Sequence, residues 1–165
     1  MSTEQTVLGM WRALSARDWD RVKTYLAPDC IYADMPLGPT AAARGPEDIV
    51  KRLKIGLEPL ASYENFDGLM LDNGTDVMYE HHEEWHWPTG ESAVLKFVSV
   101  HRVENDKITL WKDYWDMGTL AAQAPPTSGQ RVSRPNSRHL ALQPPRKVTT
   151  SSTSTSWTAP RLSIV

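Results

Sequence analysis

Four extended stretches, separated by three short turns, constrain the fold of this chain more than any other feature of the sequence. The stretches cover residues 62–71, 76–87, 91–103 and 107–116. The turn signals between them are Asp72-Asn73-Gly74, Pro88-Thr89-Gly90 and Glu104-Asn105-Asp106. Because turns this short join neighbouring strands, the pattern predicts an antiparallel meander.

The residues before the meander predict three helices and one short strand. Apolar residues at helical spacing mark the first helix: Val7, Met10, Trp11 and Leu14. A second helix is expected from residue 18, a strand over 30–35 and a third helix over 45–57. Helices followed by a meander predict an α+β domain with a curved, cone-shaped antiparallel or mixed sheet, wrapped by three N-terminal helices. The sheet face toward the helices should line an apolar pocket.

Composition excludes several classes of function. No apolar run approaches the about 18 residues of a membrane span, and the first residues lack the pattern of a signal peptide. Cys30 is the single cysteine, so an internal disulfide is impossible and we expect a reducing, cytoplasmic setting. Residues 1–116 carry 20 acidic and 12 basic side chains, which argues against nucleic-acid binding by this part of the chain.

The last part of the chain differs in composition from the rest. Residues 121–165 are rich in Ser, Thr and Pro, are basic, and lack sustained periodicity. Such a composition predicts a disordered tail after a folded domain over residues 1–120. The tail could be a phosphorylatable basic segment or a dispensable extension, and we favour the second interpretation.

One carboxylate is expected inside the apolar wall of the pocket. Alternation along the last strand places Trp111, Asp113 and Trp115 on one face. A carboxylate buried between tryptophans has a raised pKa or a dedicated partner, and such groups cluster at functional sites. Asp113 could instead lie at a partly hydrated strand end without a function.

The densest polar cluster is the segment over residues 79–87. Alternation places Glu80, His82, Glu84 and His86 on one face, with His81, Glu83, Trp85 and Trp87 on the other. The cluster could bind a divalent metal, supply an acid/base pair or form an exposed face. Acid/base chemistry is the favoured interpretation, because alternate residues about 7 Å apart are too widely spaced to ligate one metal ion directly.

A second candidate cluster lies in the short strand. Tyr32 and Asp34 are two residues apart and share a face. A phenol beside a carboxylate could hold a water molecule or a substrate hydroxyl. Asp34 could equally cap the loop that follows.

Several motifs together resemble those of a known family. They are IYADMPL at 31–37, RGPEDIV at 44–50, the turn PTG at 88–90 and DKITLWKDYWD at 106–116. The chain resembles limonene-1,2-epoxide hydrolase and its SnoaL-like relatives in the NTF2-like superfamily, over about residues 5–117. The resemblance implies the NTF2-like (cystatin-like) cone.

The resemblance also implies roles for individual residues. The family's water-positioning Tyr and Asn match Tyr32 and Asp34, and its basic Asp matches Asp113. Counted back from the PTG turn, its Arg-x-Asp pair falls on Glu80 and His82, so the arginine is replaced. We therefore expect His82 as the charge partner of Asp113 or as the general acid, and Glu80 as an auxiliary carboxylate.

The combined prediction is a small, cofactor-free, metal-free enzyme that performs acid/base chemistry on a hydrophobic, oxygenated metabolite such as a terpenoid or polyketide. The reaction could be epoxide hydrolysis, dehydration, isomerisation or cyclisation. Pocket residues are expected to include Trp11, Met35, Leu37, Leu53, Leu95, Phe97, Trp111 and Trp115. The alternatives are a non-catalytic ligand-binding or dimerisation module and a metal-dependent enzyme. We expect a homodimer that binds neither nucleic acid nor membrane.

Overall fold

The computed structural model describes residues 1–126, and the predicted tail lies almost wholly outside this range. The helices are α1 (Thr3–Ser15), α2 (Trp19–Tyr25), α3 (Gly45–Leu57) and α4 (Met117–Gln123). The strands are β1 (Leu26–Asp34), β2 (Ala43–Arg44), β3 (Ser62–Asp72), β4 (Asp76–His86), β5 (Ser92–Glu104) and β6 (Lys107–Trp115). Two 3-10 turns, Met35–Leu37 and Pro39–Ala41, link β1 to β2. The predicted α+β class and the three N-terminal helices are confirmed.

The sheet has the strand order β2-β1-β6-β5-β4-β3. The predicted meander from β3 to β6 is antiparallel throughout, whereas β1 pairs with β6 in parallel. The sheet is therefore mixed, and the parallel pairing brings the early strand β1 beside the last strand of the meander.

The register of the sheet aligns polar residues in a row across its inner face. Tyr79 pairs with Ser99, Ser99 with Asp113, and Asp113 with Asp34. Paired residues on adjacent strands point to the same face, so these four side chains lie side by side.

Trp11 of α1 packs at the centre of this inner face. Its ring lies 4.3 Å from that of His81 and 5.3 Å from that of Trp111, centroid to centroid. The Trp11 side chain is 2 % exposed. An aromatic side chain of this size buries more apolar area than most residues, so Trp11 anchors α1 over the sheet.

Strand β1 begins four residues earlier than predicted, at Leu26 instead of residue 30. The predicted strand over residues 30–35 left Pro28 outside it. In the structure the register of β1 against β6 shifts between Leu26 and Ile31, so Pro28 lies at an irregularity. Proline is tolerated at such a site because no regular ladder hydrogen bond is lost there.

Helix α4 was not predicted, and it continues the fold past the expected domain boundary at residue 120. Asp116 caps it by accepting hydrogen bonds from the amides of Gly118 and Thr119, 3.0 and 2.9 Å away. Gln123 accepts a 3.0 Å hydrogen bond from the Val94 amide, which fastens α4 to the edge of β5. Over residues 1–126, no helix is both long and apolar enough to cross a membrane.

Candidate active site

A cavity of about 360 Å³ opens between the inner face of the sheet and the helices. Six aromatic side chains contribute to its walls: Trp11, Tyr32, Trp85, Phe97, Trp111 and Trp115. Three carboxyl groups, of Asp34, Glu83 and Asp113, also face it. The cavity is thus an apolar chamber that holds a small number of convergent acidic groups, which is the usual composition of a ligand site.

Each of the three carboxyl groups accepts a hydrogen bond from an indole N–H. Trp111 donates to Asp113 at 2.5 Å, and Trp85 donates to Glu83 at 2.7 Å. Trp115 donates to Asp34, also at 2.7 Å. A tryptophan supplies apolar wall and one donor, so these residues can orient a carboxyl group without adding a positive charge.

Asp113 lies in the centre of β6 and is 3 % exposed. Its Oδ1 atom also accepts a 2.5 Å hydrogen bond from the Ser99 hydroxyl. Burial raises the pKa of Asp113 from 3.8 to about 7, although the hydrogen bonds from Ser99, Trp111 and Tyr32 work in the opposite direction. Near neutral pH this carboxyl group can therefore exchange a proton readily.

Glu83 is the second buried carboxyl group, and it is 4 % exposed. Besides the Trp85 indole, the Tyr63 hydroxyl donates to it at 2.9 Å. Burial raises the pKa of Glu83 from 4.5 to about 8, and the negative charges of Asp113 and Asp34 raise it further. Glu83, like Asp113, thus holds its proton to a much higher pH than an exposed carboxyl group does.

Asp34 has a different environment at the mouth of the cavity. Its Oδ2 atom lies 3.6 Å from the guanidinium of Arg52, an α3 residue that also lines the cavity. Arg52 additionally donates to the Ala41 carbonyl at 3.4 Å. Among the three carboxyl groups that face the cavity, Asp34 is therefore the one that lies beside a cation, Arg52.

His81 connects with Asp113 through Ser99. The Nε2 atom of His81 lies 2.9 Å from the Ser99 hydroxyl, and its Nδ1 atom lies 2.6 Å from the Asn65 amide oxygen. Burial lowers the pKa of His81 to about 3, and the neighbouring His82 lowers it further. His81 is therefore neutral near pH 7.

The predicted positions of Glu80 and His82 are wrong. Glu80 is exposed on the outer face of β4, and His82 stacks on Phe66 there, with ring centroids 4.7 Å apart. Successive side chains of a strand point to opposite faces, so His82 lies on the opposite side of the sheet from Asp113. The residues of β4 on the Asp113 side are His81 and Glu83.

The sequence contained a signal for the correct face. Val77, Tyr79 and Trp85 alternate with the more polar residues of β4, and all three point inward with His81 and Glu83. Ser99, Asn65 and Tyr63 were missed because they become site residues through hydrogen bonds across strands. A single-strand pattern does not contain that information.

Most of the other predicted site residues lie where expected. Tyr32, Asp34 and Asp113 face the cavity, as do Trp11, Leu37, Leu53, Phe97, Trp111 and Trp115. Leu95 is fully buried beneath the cavity wall with Phe97 and Ala93, and Met35 lies in a 3-10 turn outside the lining. Met117 and Leu120 of the unpredicted helix α4 complete the mouth.

A metal site would require several histidines to converge on one point, and the histidines of residues 1–126 do not do so. His81 and His101 are buried on the inner face, whereas His82 and His86 are not buried. Within residues 1–126, no group of three or more His, Cys, Asp or Glu side chains is arranged to hold a metal ion.

The fold and the site place this protein in a class of α+β domains in which a curved sheet encloses an apolar cavity with acidic groups on its inner face. A family model for the SnoaL-like domain matches residues 7–111. The chain therefore belongs to the SnoaL-like domain family, as the sequence motifs predicted.

Solved structures with the same fold include an LEH-like epoxide hydrolase from M. tuberculosis. It is 22 % identical, with a TM-score of 0.62 over 73 % of this chain and 89 % of that one. A protein assigned to the SnoaL-like polyketide cyclases of Shewanella putrefaciens is 18 % identical, with a TM-score of 0.66 over 73 % and 93 % of the two chains. TerC, crystallised with polyporic acid, is 18 % identical, with a TM-score of 0.63 over 72 % and 95 %. These similarities establish the fold.

Proposed function

We propose that this protein is an enzyme that performs acid/base chemistry on a hydrophobic, oxygenated small molecule. The observation that carries the proposal is the pair of buried carboxyl groups, Asp113 and Glu83, which face one apolar cavity. Their pKa values are raised to about 7 and about 8. Two acids with separated pKa values in one site can act as a base and an acid at the same pH.

The different environments support a division of roles in which Asp113 is the base. Three hydrogen bonds to its carboxylate, from Ser99, Trp111 and Tyr32, oppose the effect of burial on its pKa. Asp113 would act as the general base and remove a proton from a water molecule or from the substrate. Glu83 would remain protonated between about pH 7 and about pH 8 and would donate its proton to an oxygen of the substrate.

Residues of β1 would position the reacting group. Tyr32 lies beside Trp111, with ring centroids 4.7 Å apart, and its hydroxyl is close enough to Asp113 to lower the pKa of that group. Asp34 is fixed by Trp115 and Arg52 at the cavity mouth. These groups could hold a water molecule or a substrate hydroxyl near Asp113, which is the role that the family resemblance gives them.

The similar proteins support a choice of substrates to test. One of them is an epoxide hydrolase and another is assigned to the polyketide cyclases. Epoxide opening and cyclisation both need a base beside an acid in an apolar chamber. Substrates of about the cavity volume, such as monoterpene epoxides and small aromatic polyketides, are therefore the first compounds to test.

The test measures turnover of a panel of apolar epoxides, hydroxy ketones and small polyketides, with product detection by mass spectrometry. We expect turnover of at least one class, with a loss of about a hundredfold or more in Asp113→Asn and in Glu83→Gln. His82→Gln is the matched control, because this histidine lies on the outer face and should retain full activity. Cavity binding without turnover, unaffected by either carboxyl substitution, would instead favour a non-catalytic binding module.

A further inference from the structure

Arg52 brings a positive charge to the mouth of a cavity whose other lining residues are apolar, acidic or uncharged. Among the described residues that line this cavity, it is the only lysine or arginine. It lies on α3 with Leu53, Gly56 and Leu57, which form part of the same wall. The apolar stem of an arginine can pack along such a wall while the guanidinium remains at the opening. The charged end of Arg52 is therefore available to a molecule that occupies the cavity.

The contacts of Arg52 within residues 1–126 use few of its donors. A guanidinium has five N–H groups. Arg52 Nη1 donates a long hydrogen bond of 3.4 Å to the Ala41 carbonyl. Its Nη2 atom lies 3.6 Å from Asp34 Oδ2, which is longer than the about 2.7–2.9 Å of a charge-assisted hydrogen bond. The Arg52 side chain is 26 % exposed, so a ligand can reach the N–H groups that remain.

Asp34 does not form a two-pronged pair with Arg52, because another donor holds it. Its Oδ1 atom accepts the 2.7 Å hydrogen bond from the Trp115 indole, and Oδ2 is the oxygen that lies near Arg52. A bidentate arginine–carboxylate pair needs both carboxylate oxygens in parallel hydrogen bonds to the guanidinium. The planar fork of Arg52 is therefore left for a second carboxylate, which a ligand could bring.

The surroundings of Arg52 indicate what such an anion would be attached to. Leu37, Ile55 and Met117 line the cavity and are 47 %, 74 % and 39 % exposed, so they form an apolar rim. Behind this rim lie the aromatic walls, which enclose about 360 Å³. This shape fits a small apolar ring skeleton. Because the carboxyl group of Asp34 lies beside Arg52, a ligand with one negative charge fits the mouth better than a dianion such as a phosphate monoester.

We propose that Arg52 makes this cavity selective for apolar molecules that carry a carboxylate, which it binds through paired hydrogen bonds at the mouth. The apolar skeleton of the molecule extends inward, toward Asp113 and Glu83. Arg52 is thus a specificity-determining residue and takes no part in proton transfer. This inference rests on the proposed function in taking the cavity as the substrate site.

The experiment is isothermal titration calorimetry of the full chain with three probes that share one skeleton. The probes are naphthylacetate, its neutral amide naphthylacetamide and the cation naphthylethylamine. At about pH 6 naphthylacetate is ionised, whereas Asp113 and Glu83, with pKa values raised to about 7 and about 8, largely hold their protons. We expect naphthylacetate to bind about tenfold more tightly than the amide, which is the usual advantage of a charge-assisted hydrogen bond over a neutral one. The amine should bind most weakly.

Four variants identify the contact. Arg52→Gln should bind the acid and the amide equally, and Arg52→Lys, which keeps the charge but lacks the planar fork, should keep part of the preference. Lys51→Gln is the matched control, because Lys51 is exposed on the same helix and does not line the cavity, so this variant should keep the full preference. Asp34→Asn should bind the acid more tightly than the wild type does, because it removes the negative charge beside Arg52.

Three results would overturn the proposal: equal binding of the acid and the amide by the wild type, tighter binding of the amine, or no binding of the acid. A preference for the acid that survives in Arg52→Gln would also overturn it. If Arg52→Gln does not fold, the wild type and Asp34→Asn still decide. The calorimetry needs no turnover, so a failure here leaves the acid/base function standing, whereas a loss of that function would leave the preference for the acid unchanged.

Discussion

Replacing Asp113 with asparagine should make the protein more stable as it makes it inactive. Both strong hydrogen bonds to this carboxyl group, from Ser99 and Trp111, are accepted by the same oxygen, Oδ1. Asparagine retains an oxygen at that position and has nearly the same shape. The substitution therefore removes the charge and the proton affinity but keeps the packing.

The size of the effect follows from the raised pKa of Asp113. A folded-state pKa of about 7, compared with 3.8 in the absence of burial, means that the fold binds this proton more tightly than the unfolded chain does. The stability that Asp113 contributes is therefore fully present below the unfolded pKa, is lost as the pH rises from about 4 to about 7, and changes little above that. At about 1.4 kcal/mol per pKa unit, the difference between Asp113→Asn and the wild type should grow from about 1.5 kcal/mol at pH 5 to about 4 kcal/mol at pH 8.5.

Urea unfolding followed by tryptophan fluorescence measures this difference directly, at several pH values for both proteins. Burial is the main cause of the raised pKa of Glu83 and is the same in both proteins, so this part of the Glu83 contribution cancels in the comparison. A stability difference that does not change between pH 5 and pH 8.5 would show that Asp113 titrates normally in the fold. The argument that burial makes it a base of near-neutral pKa would then be refuted.

Three further predictions concern the acid, the assembly and the C-terminal segment. Glu83→Gln should lower kcat/KM by about a hundredfold and abolish the alkaline limb of the pH–rate profile near pH 8, because that limb reports loss of the acid proton. The outer sheet face carries the apolar Val98 and the 43 % exposed Tyr114, so we expect two copies to pack through this face as a homodimer. Light scattering should show a dimer that becomes monomeric when both residues are changed to glutamate, and a wild-type monomer would contradict this. A chain ending at residue 126 should melt within about 2 °C of the full chain, whereas a chain ending at residue 122 should melt at a lower temperature, because it lacks Gln123 and its hydrogen bond to Val94. Equal melting temperatures of the two truncated chains would contradict the role of Gln123.

The strand pattern predicted much of this fold because each turn lies between two stretches of matched length. The meander, the third helix at Gly45-Pro46 and the inward direction of Asp113 all followed from local spacing. Helix α4 was missed because its seven residues are dominated by small side chains, and its stability depends on the Asp116 cap and on contacts with β5. Such tertiary contacts do not appear in a periodicity pattern.

The site was predicted less completely than the fold, for a specific physical reason. Side chains in a strand alternate with a period of two, and the choice of Glu80 and His82 selected the outer face of β4, whereas His81 and Glu83 lie on the inner face. The apolar residues Val77 and Tyr79 would have fixed the correct face. The link through Ser99 depends on which residues of β4, β5 and β6 pair, and that register is set by the whole sheet.

The central claim is that two carboxyl groups in this cavity keep their protons close to neutral pH. Carbon-13 NMR of the side-chain carboxyl groups, assigned with Asp113→Asn and Glu83→Gln, measures this without any substrate. The account predicts that Asp113 titrates near pH 7 and Glu83 near pH 8, far above their ordinary values of 3.8 and 4.5. Titration of both groups near pH 4 would contradict the account, because neither could then exchange or hold a proton at the pH where the reaction is proposed to occur.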